Sequence, residues 1–373
     1  MKKPETPGAS ALLRATAETI FAHELEALAR EDRHERPPGW RLSPRAVVTY
    51  LVGGAAGETL IEPKYMGPGA RRIVEIAVAT LATDRAVLLV GEPGTAKSLL
   101  SEHLAAAISG DSTKVVQGTA GATEEHFRYT WNYAILLTRG MVPEAVVPSP
   151  VYRAMEEGRM VRVEEITRCP SEVQDALITI LSEKAIAVPD VDLLVQAQRG
   201  FNLIATANLR DRGVNEMSAA LKRRFNLITL PVPTSLEAEV EIVERRVRSL
   251  GSQLSLPAQP PAAEVIRRVV QVFQELRRGQ TTDGRQKVKS PSGVLSTAEA
   301  ISVLGHGMAM AGHFGDGEVR DRDVAASVLG AVIKDDPRDA GVFVEYLENI
   351  ARPRGGAWLS FSDACLELLR QVG

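Results

Sequence analysis

The stretch GEPGTAKS (residues 91–98) follows the apolar run AVLLV (86–90) and precedes LLSEHLAAAIS (99–109). Its reading decides the fold, because these eight residues suit either a plain strand-to-helix corner or a loop that holds phosphate. A phosphate loop wants Gly, four residues, then Gly-Lys-Ser/Thr. Gly91, Lys97 and Ser98 keep that spacing, while Ala96 stands where the second glycine belongs. In the phosphate reading the binding segment is Gly91, Glu92, Pro93, Gly94, Thr95, Ala96, Lys97, Ser98 and Leu99. Backbone N–H groups there converge at a helix N-terminus, where the macrodipole favours an anion. Lys97 would neutralise the β- and γ-phosphates of ATP, and the Ser98 hydroxyl would ligate Mg²⁺. On these residues alone both readings stand.

Working outward, MVRVEE (160–165) is a short apolar strand ending in two carboxylates. Glu164 and Glu165 would emerge at the C-terminal edge of the same sheet, where open α/β folds bind ligands. One carboxylate would hold Mg²⁺ and the other would polarise an attacking water as general base; a solvated acidic turn is the alternative. In FNLIATANLR (201–210) the apolar run ends at Asn208, which would orient the lytic water or sense the γ-phosphate, or would simply form a turn. In AALKRRFNLITL (219–230), Arg223 and Arg224 precede a strand, where a guanidinium fork suits a transferring phosphoryl group; a surface basic pair is the alternative. These four features in this order coincide by chance far less readily than any one of them.

The wider chain fits an α/β unit of parallel strands joined by crossover helices, followed by further helices. It has 373 residues, 45% hydrophobic and 24% charged, with net charge −3, so no global attraction to nucleic acid or anionic lipid is expected. Cys169 and Cys365 lie far apart without metal-ligand spacing, which fits a reducing compartment. Arg14 and Glu18 interrupt the apolar run that a secretory signal needs, and no stretch approaches the ~20 apolar residues of a membrane span. A soluble, cytoplasmic protein is the expectation.

Strands are predicted at 86–90, 114–117, 160–163, 201–207 and 225–230, with a helix at 171–183 and a hairpin from AIAVP and DLLVQA. Helical patterns follow at about 236–249, 262–278, 296–312 and 321–334. The expected fold class is therefore α/β, a five-stranded parallel P-loop sheet followed by a smaller all-helical domain, with an N-terminal helical extension. Residues 9–31 read as one amphipathic helix and 33–44 as a Pro-punctuated connector. The expected divisions are 1–62 for the extension, 63–232 for the nucleotide-binding domain, 233–352 for the helical domain and 353–373 for a C-terminal tail.

GEPGTAKS, MVRVEE, VQDALITILSE, ATAN and ALKRRF together resemble the MoxR branch of the AAA+ ATPases, over roughly residues 63–335. That branch commonly has alanine at the position of Ala96, which favours the triphosphate reading. The resemblance implies Lys97 and Ser98 as P-loop cation and magnesium ligand, Glu164 and Glu165 as the Walker B pair, Asn208 as sensor 1, and Arg224 as a finger reaching a neighbouring subunit, with Arg223 in reserve. It further implies a homo-oligomeric ring, a hexamer, and a partner with a von Willebrand factor A domain that the ATPase remodels, matures or activates. Two alternatives remain: a nucleotide-gated binding module with little hydrolysis, and a nucleic-acid translocase using the basic stretch RRGQTTDGRQKVKS (277–290).

This sequence departs from the family pattern in three places. Glu164 replaces the usual aspartate, one methylene longer. Arg162 lies inside a strand expected to be buried and needs a carboxylate partner or an exposed face. The helical domain offers no evident sensor 2 arginine in SPSGVLSTAEA (290–300), leaving Arg285, Lys287 and Lys289 as substitutes. Elsewhere, Thr123 with Glu124 and Glu125 favours a helix start before the aromatic stretch HFRYTWNYAILL (126–137). Those aromatics suit either a pore-facing grip or packing. His103 and His126 have no ligand-spaced partners and read as structural.

Overall fold

The computed structural model describes residues 13–208, 214–334 and 336–372. The first twelve residues of the extension, including the first four of the helix expected at 9–31 and most of the stretch examined for a secretory signal, lie outside them. The chain divides into two compact units, Met1–Glu92 with Ala96–Pro231, and Val232–Gly373 with Pro93–Thr95.

The first unit opens with α1 (Ala17–Ile20), α2 (Ala22–Glu31) and α3 (Pro44–Val52), then a hairpin of β1 (Gly54–Ala56) and β2 (Thr59–Ile61). The single helix expected over 9–31 is thus corrected: it starts at Ala17 and breaks at Phe21, whose backbone leaves the helical region. The residues around the break are held by tertiary contacts. Lys64 Nζ donates to Glu24 Oε2 at 2.7 Å and lies 4.3 Å from the centre of the Phe21 ring. A buried ammonium needs such a carboxylate partner. His103 is buried with Nδ1 2.9 Å from the Tyr50 hydroxyl, in keeping with a structural role.

Next come α4 (Ala70–Leu81), β3 (Ala86–Val90), α5 (Lys97–Ser109), β4 (Val115–Gln117), β5 (Tyr129–Trp131), α6 (Tyr133–Arg139), β6 (Val146–Pro148), α7 (Pro150–Glu157), β7 (Met160–Glu164), α8 (Ser171–Glu183), β8 (Ala185–Val188), β9 (Leu193–Gln196), β10 (Asn202–Ala207), α9 (Ala219–Lys222) and β11 (Phe225–Thr229). Strands β11, β3, β10, β7 and β4 lie side by side in that order, all parallel. All five expected strands are present, and β8–β9 is the expected hairpin.

Side chains alternate across a strand, and the two faces build two cores. Val87, Leu89 and Ile204 pack with residues of α3, α4 and α5, while Leu88, Val161, Val163 and Leu203 pack with residues of α7 and α8. Both faces are covered, which is why these strands read as continuous apolar runs.

The aromatic stretch departs from the helical expectation. After Thr123 there is only a short 3₁₀ turn, Glu124–His126, capped by Thr123 and the His126 ring. Tyr129–Trp131 then pairs antiparallel with Val146–Pro148, and α6 sits at the tip of this hairpin. Phe127 is fully buried, and Tyr129 and Trp131 meet edge to face at 5.7 Å. Cross-strand pairing and ring packing outweigh the helical spacing.

The second unit contains α10 (Leu236–Gln253), α11 (Ala263–Arg278), α12 (Thr297–Phe314), α13 (Asp321–Val332), α14 (Asp339–Tyr346) and α15 (Ala357–Val372). Phe273, Leu304, Val328 and Phe343 share its core with Phe361 and Cys365 of α15, so residues past 356 are part of this unit's packing. Glu239 is buried and paired with Arg277 at 2.7 Å, and Glu275 with Arg354 at 2.8 Å, so its interior charges are matched. Besides Arg277, two further charges of the basic stretch are paired within the same unit, Arg285 with Asp283 and Lys289 with Glu345.

Candidate nucleotide site

The loop between β3 and α5 turns on two residues with positive φ, Gly94 at 78° and Ala96 at 63°. Ala96 is the left-handed cap of α5, which explains why glycine is the residue expected there. Alanine adopts the same backbone at a cost of about 1 kcal/mol. The loop curls over the lysine: Lys97 Nζ donates to the carbonyls of Gly91 and Glu92, each at 2.8 Å. Ser98 and Leu99 follow in the first turn of the helix, whose leading N–H groups have no intrahelical acceptor.

Arg162 and Glu164 are two apart on β7 and therefore share a face, the one covered by α5. Ser98 and Ser101, three apart on α5, look back at them. The Ser98 hydroxyl donates to Glu164 Oε2 at 2.7 Å, and the Ser101 hydroxyl donates to Oε1 at 2.5 Å. Arg162 Nη2 donates to Oε1 at 2.8 Å, and the Thr206 hydroxyl to Oε2 at 2.8 Å. Thr206 in turn accepts from the Glu165 N–H at 2.9 Å. The Arg162 fork is completed by Ser101 Oγ at 3.1 Å and the Ser112 carbonyl at 3.1 Å.

The buried arginine thus has its carboxylate partner, and that partner is Glu164 itself. Burial opposes ionisation of Glu164, yet the Ser101 hydroxyl, the Arg162 charge and the Ser98 and Thr206 hydroxyls together hold its pKa below the ordinary glutamate value.

Glu165 begins the turn after β7 with φ 53°, and its side chain is partly exposed. Its carboxylate meets Arg168 Nε at 2.5 Å. The turn is closed from β4's side by Gly118, whose N–H donates to the Glu164 carbonyl at 2.7 Å. A Cβ on Gly118 would lie 2.3 Å from the Glu165 carbonyl oxygen, so only glycine permits this approach.

Asn208 leaves β10 directly after Ala207, which pairs with Val90, so it emerges beside Gly91 at the start of the loop. Lys97, Ser98, Glu164, Glu165 and Asn208 therefore gather at the C-terminal edge of one sheet. Arg223 and Arg224 do not join them. Phe225 pairs with Ala86, at the other end of β3, roughly 13 Å along the strand from Val90. Arg224 is tied there, Nε to Ser182 Oγ at 2.9 Å and Nη1 to the Ala220 carbonyl at 2.8 Å, while Arg223 is exposed.

Ser101, Thr206 and Arg168 were not singled out by sequence reasoning. Ser101 had a signal in its three-residue spacing from Ser98, and Thr206 in being a hydroxyl inside an apolar strand. The donor set suits Mg²⁺: a hydroxyl and one carboxylate are hard oxygen ligands, and this ion keeps several waters and takes phosphate oxygens. Among the described residues no cluster of three or more His, Cys, Asp or Glu could hold a metal ion by itself.

The parallel sheet order, the glycine-turned loop at a helix start and the neighbouring carboxylates define a P-loop protein with an AAA+ core and a helical second unit. Comparison with known proteins sharpens this. Residues 86–225 match the model of the AAA domain of the dynein-related subfamily, and residues 237–363 match that of the YehL-like AAA+ ATPase C-terminal domain. The protein YehL of Escherichia coli (strain K12) is 39% identical over 366 residues, covering 96% of this chain and 98% of YehL. Chaperone MoxR1 of Mycobacterium tuberculosis is 28% identical over 224 residues, covering 57% of this chain and 52% of MoxR1. NtrX of Brucella abortus in complex with ATP superposes with a TM-score of 0.46 and 13% identity, over 69% of this chain and 53% of NtrX. The chain belongs to the YehL-like family of MoxR-type AAA+ ATPases. No helix among the described residues is long and apolar enough to cross a membrane.

Proposed function

We propose that this chain hydrolyses ATP within a homo-oligomeric ring, a hexamer, and uses the turnover to remodel, mature or activate a partner protein. The observation that carries the chemistry is the Ser98–Glu164 contact of 2.7 Å beneath the phosphate loop, with Glu165 one residue further along the same strand edge. The loop amides and Lys97 bind the polyphosphate. Ser98 and Glu164 hold Mg²⁺, which when bound supplies charge neutralisation for the phosphates. Glu165 takes the proton of the attacking water, and Asn208 orients that water. Arg224, with Arg223 as its alternative, acts on the nucleotide of a neighbouring subunit. Its place at the far end of β3 from the loop supports a role in trans, and a head-to-tail interface that closes generates a ring. The division of labour is nucleotide binding in 63–232 and a lid in 233–352, with the helices before residue 62 packed into the first unit and Ala357–Val372, expected as a tail, packed into the second.

The chaperone role is supported by similarity to MoxR1, whose name states it, and a partner with a von Willebrand factor A domain follows from the MoxR resemblance. Phosphate release by wild type and by Glu165→Gln tests the catalytic part. A fall of at least a hundredfold with nucleotide still bound is expected, and equal rates would remove Glu165 from catalysis. Native mass of Glu165→Gln with ATP, with identification of what co-purifies, tests ring and partner.

The Glu165–Arg168 ion pair favours a second reading, a nucleotide-gated binding module with little hydrolysis. Tight ATP binding with negligible phosphate release, even with partner present, is its signature.

A further inference from the structure

We propose that Arg162 is a positioning residue for the metal ligand: by gripping Oε1 of Glu164 it turns Oε2 toward Ser98 and restrains the long glutamate arm. This rests on the nucleotide-site reading above. The arginine and the glutamate rise from the same face of β7, and the guanidinium meets Oε1 at 2.8 Å. Ser101 supports both partners at once, donating to Oε1 at 2.5 Å and accepting from Arg162 Nε at 3.1 Å. The Ser112 carbonyl fixes the other side of the guanidinium at 3.1 Å. The extra methylene of glutamate adds a rotatable bond between backbone and carboxylate. Two donors on Oε1 remove that freedom, and Oε2 is left facing the Ser98 and Thr206 hydroxyls. Arg162 and Glu164 are 7% and 5% exposed, so water does not compete for either. Groups that orient a metal ligand in this way typically change metal affinity by about 10- to 100-fold when removed.

The test uses the full chain and a fluorescent ATP analogue, with Mg²⁺ titrated upward from EDTA. In Arg162→Met, the Mg²⁺ concentration giving half-maximal tightening of nucleotide binding should rise about tenfold. Affinity in EDTA should stay within about twofold, because the loop amides and Lys97 are untouched. Adding Glu164→Asp to Arg162→Met should recover most of the Mg²⁺ response, since the shorter arm needs no grip. A general packing role for Arg162 gives no such recovery. If Arg162→Met does not fold, Ser101→Ala, which removes one neutral hydrogen bond to Oε1, should shift the Mg²⁺ midpoint in the same direction by about threefold.

An unchanged or lowered Mg²⁺ midpoint in the folded variant overturns the proposal, as does a double variant no better than the single. A wild-type protein that binds no nucleotide at any Mg²⁺ concentration overturns the site reading itself; wild-type binding with an unaltered variant response overturns only the role of Arg162.

Discussion

Glu165 and Arg168 are locked together across the turn that leaves β7, with 2.5 Å between Oε2 and Nε. The turn makes this possible: a left-handed Glu165 starts a single 3₁₀ turn, and the i,i+3 spacing places the two side chains on one side. The pair occupies the carboxylate proposed as general base. It lies 44–46% exposed, so water and salt weaken it, and it contributes no more than about 1 kcal/mol.

Arg168→Ala should therefore raise basal ATP turnover by up to about fivefold, the rate equivalent of about 1 kcal/mol, with nucleotide affinity unchanged. Steady-state phosphate release alongside equilibrium binding separates the two quantities. Unchanged turnover would mean that Glu165 leaves Arg168 without cost, or does not act as the base.

Ala96 holds a backbone conformation suited to glycine. Ala96→Gly should relieve that strain at the price of a freer unfolded chain, for a net gain of up to about 0.5 kcal/mol. Denaturant titration following the first unit, with an unchanged slope, measures it. A loss of stability would show that contacts of the Ala96 methyl outweigh its backbone strain.

Arg224 is held by Ser182 and Ala220 in the single chain, and Arg223 projects beside it. Arg224→Ala should lower turnover of the assembled protein by about a thousandfold or more, the range for arginine fingers, while leaving nucleotide affinity intact. Arg223→Ala should change turnover only a few-fold. The reverse outcome transfers the role to Arg223. Mixing Arg224→Ala with Lys97→Ala subunits should restore part of the activity, since each supplies what the other lacks.

Glu164 has a pKa depressed below its ordinary value, and burial is outweighed by its four donors. The stability tied to its ionised form is fully present above the unfolded value of about 4.3 and is lost as pH falls through the lower folded value. Acid unfolding of the first unit should steepen below about pH 4.3. Glu164→Gln should reduce proton uptake on unfolding there by up to one proton, readable from the pH dependence of the denaturant midpoint. Equal slopes would show that the carboxylate titrates alike in the folded and unfolded protein.

The strands were legible because both faces of the sheet are buried, so AVLLV had to be apolar throughout, and MVRV and NLIATA apolar except where Arg162, Asn202 and Thr206 find buried partners. The helix at 171–183 was legible from apolar spacing alone, and its bounds are Ser171–Glu183. The aromatic stretch was not, because helical spacing and a hairpin demand similar residues over so short a run, and pairing with Val146–Pro148 decides between them. The break at Phe21 was equally hidden, since the contacts that hold it come from Lys64, more than forty residues away.

By itself the sequence showed the loop spacing with its lysine and serine at a strand-to-helix corner, and the paired carboxylates at the end of another strand, because local pattern at fixed spacing specifies them. It also showed that a buried Arg162 would need a partner. Only the tertiary structure decided that this partner is Glu164, and that Ser101 and Thr206 complete its shell, because parallel strand register and helix-on-sheet packing bring together residues from 98 to 206. Spacing along a chain fixes which side chains share a face; which faces meet is settled only by packing.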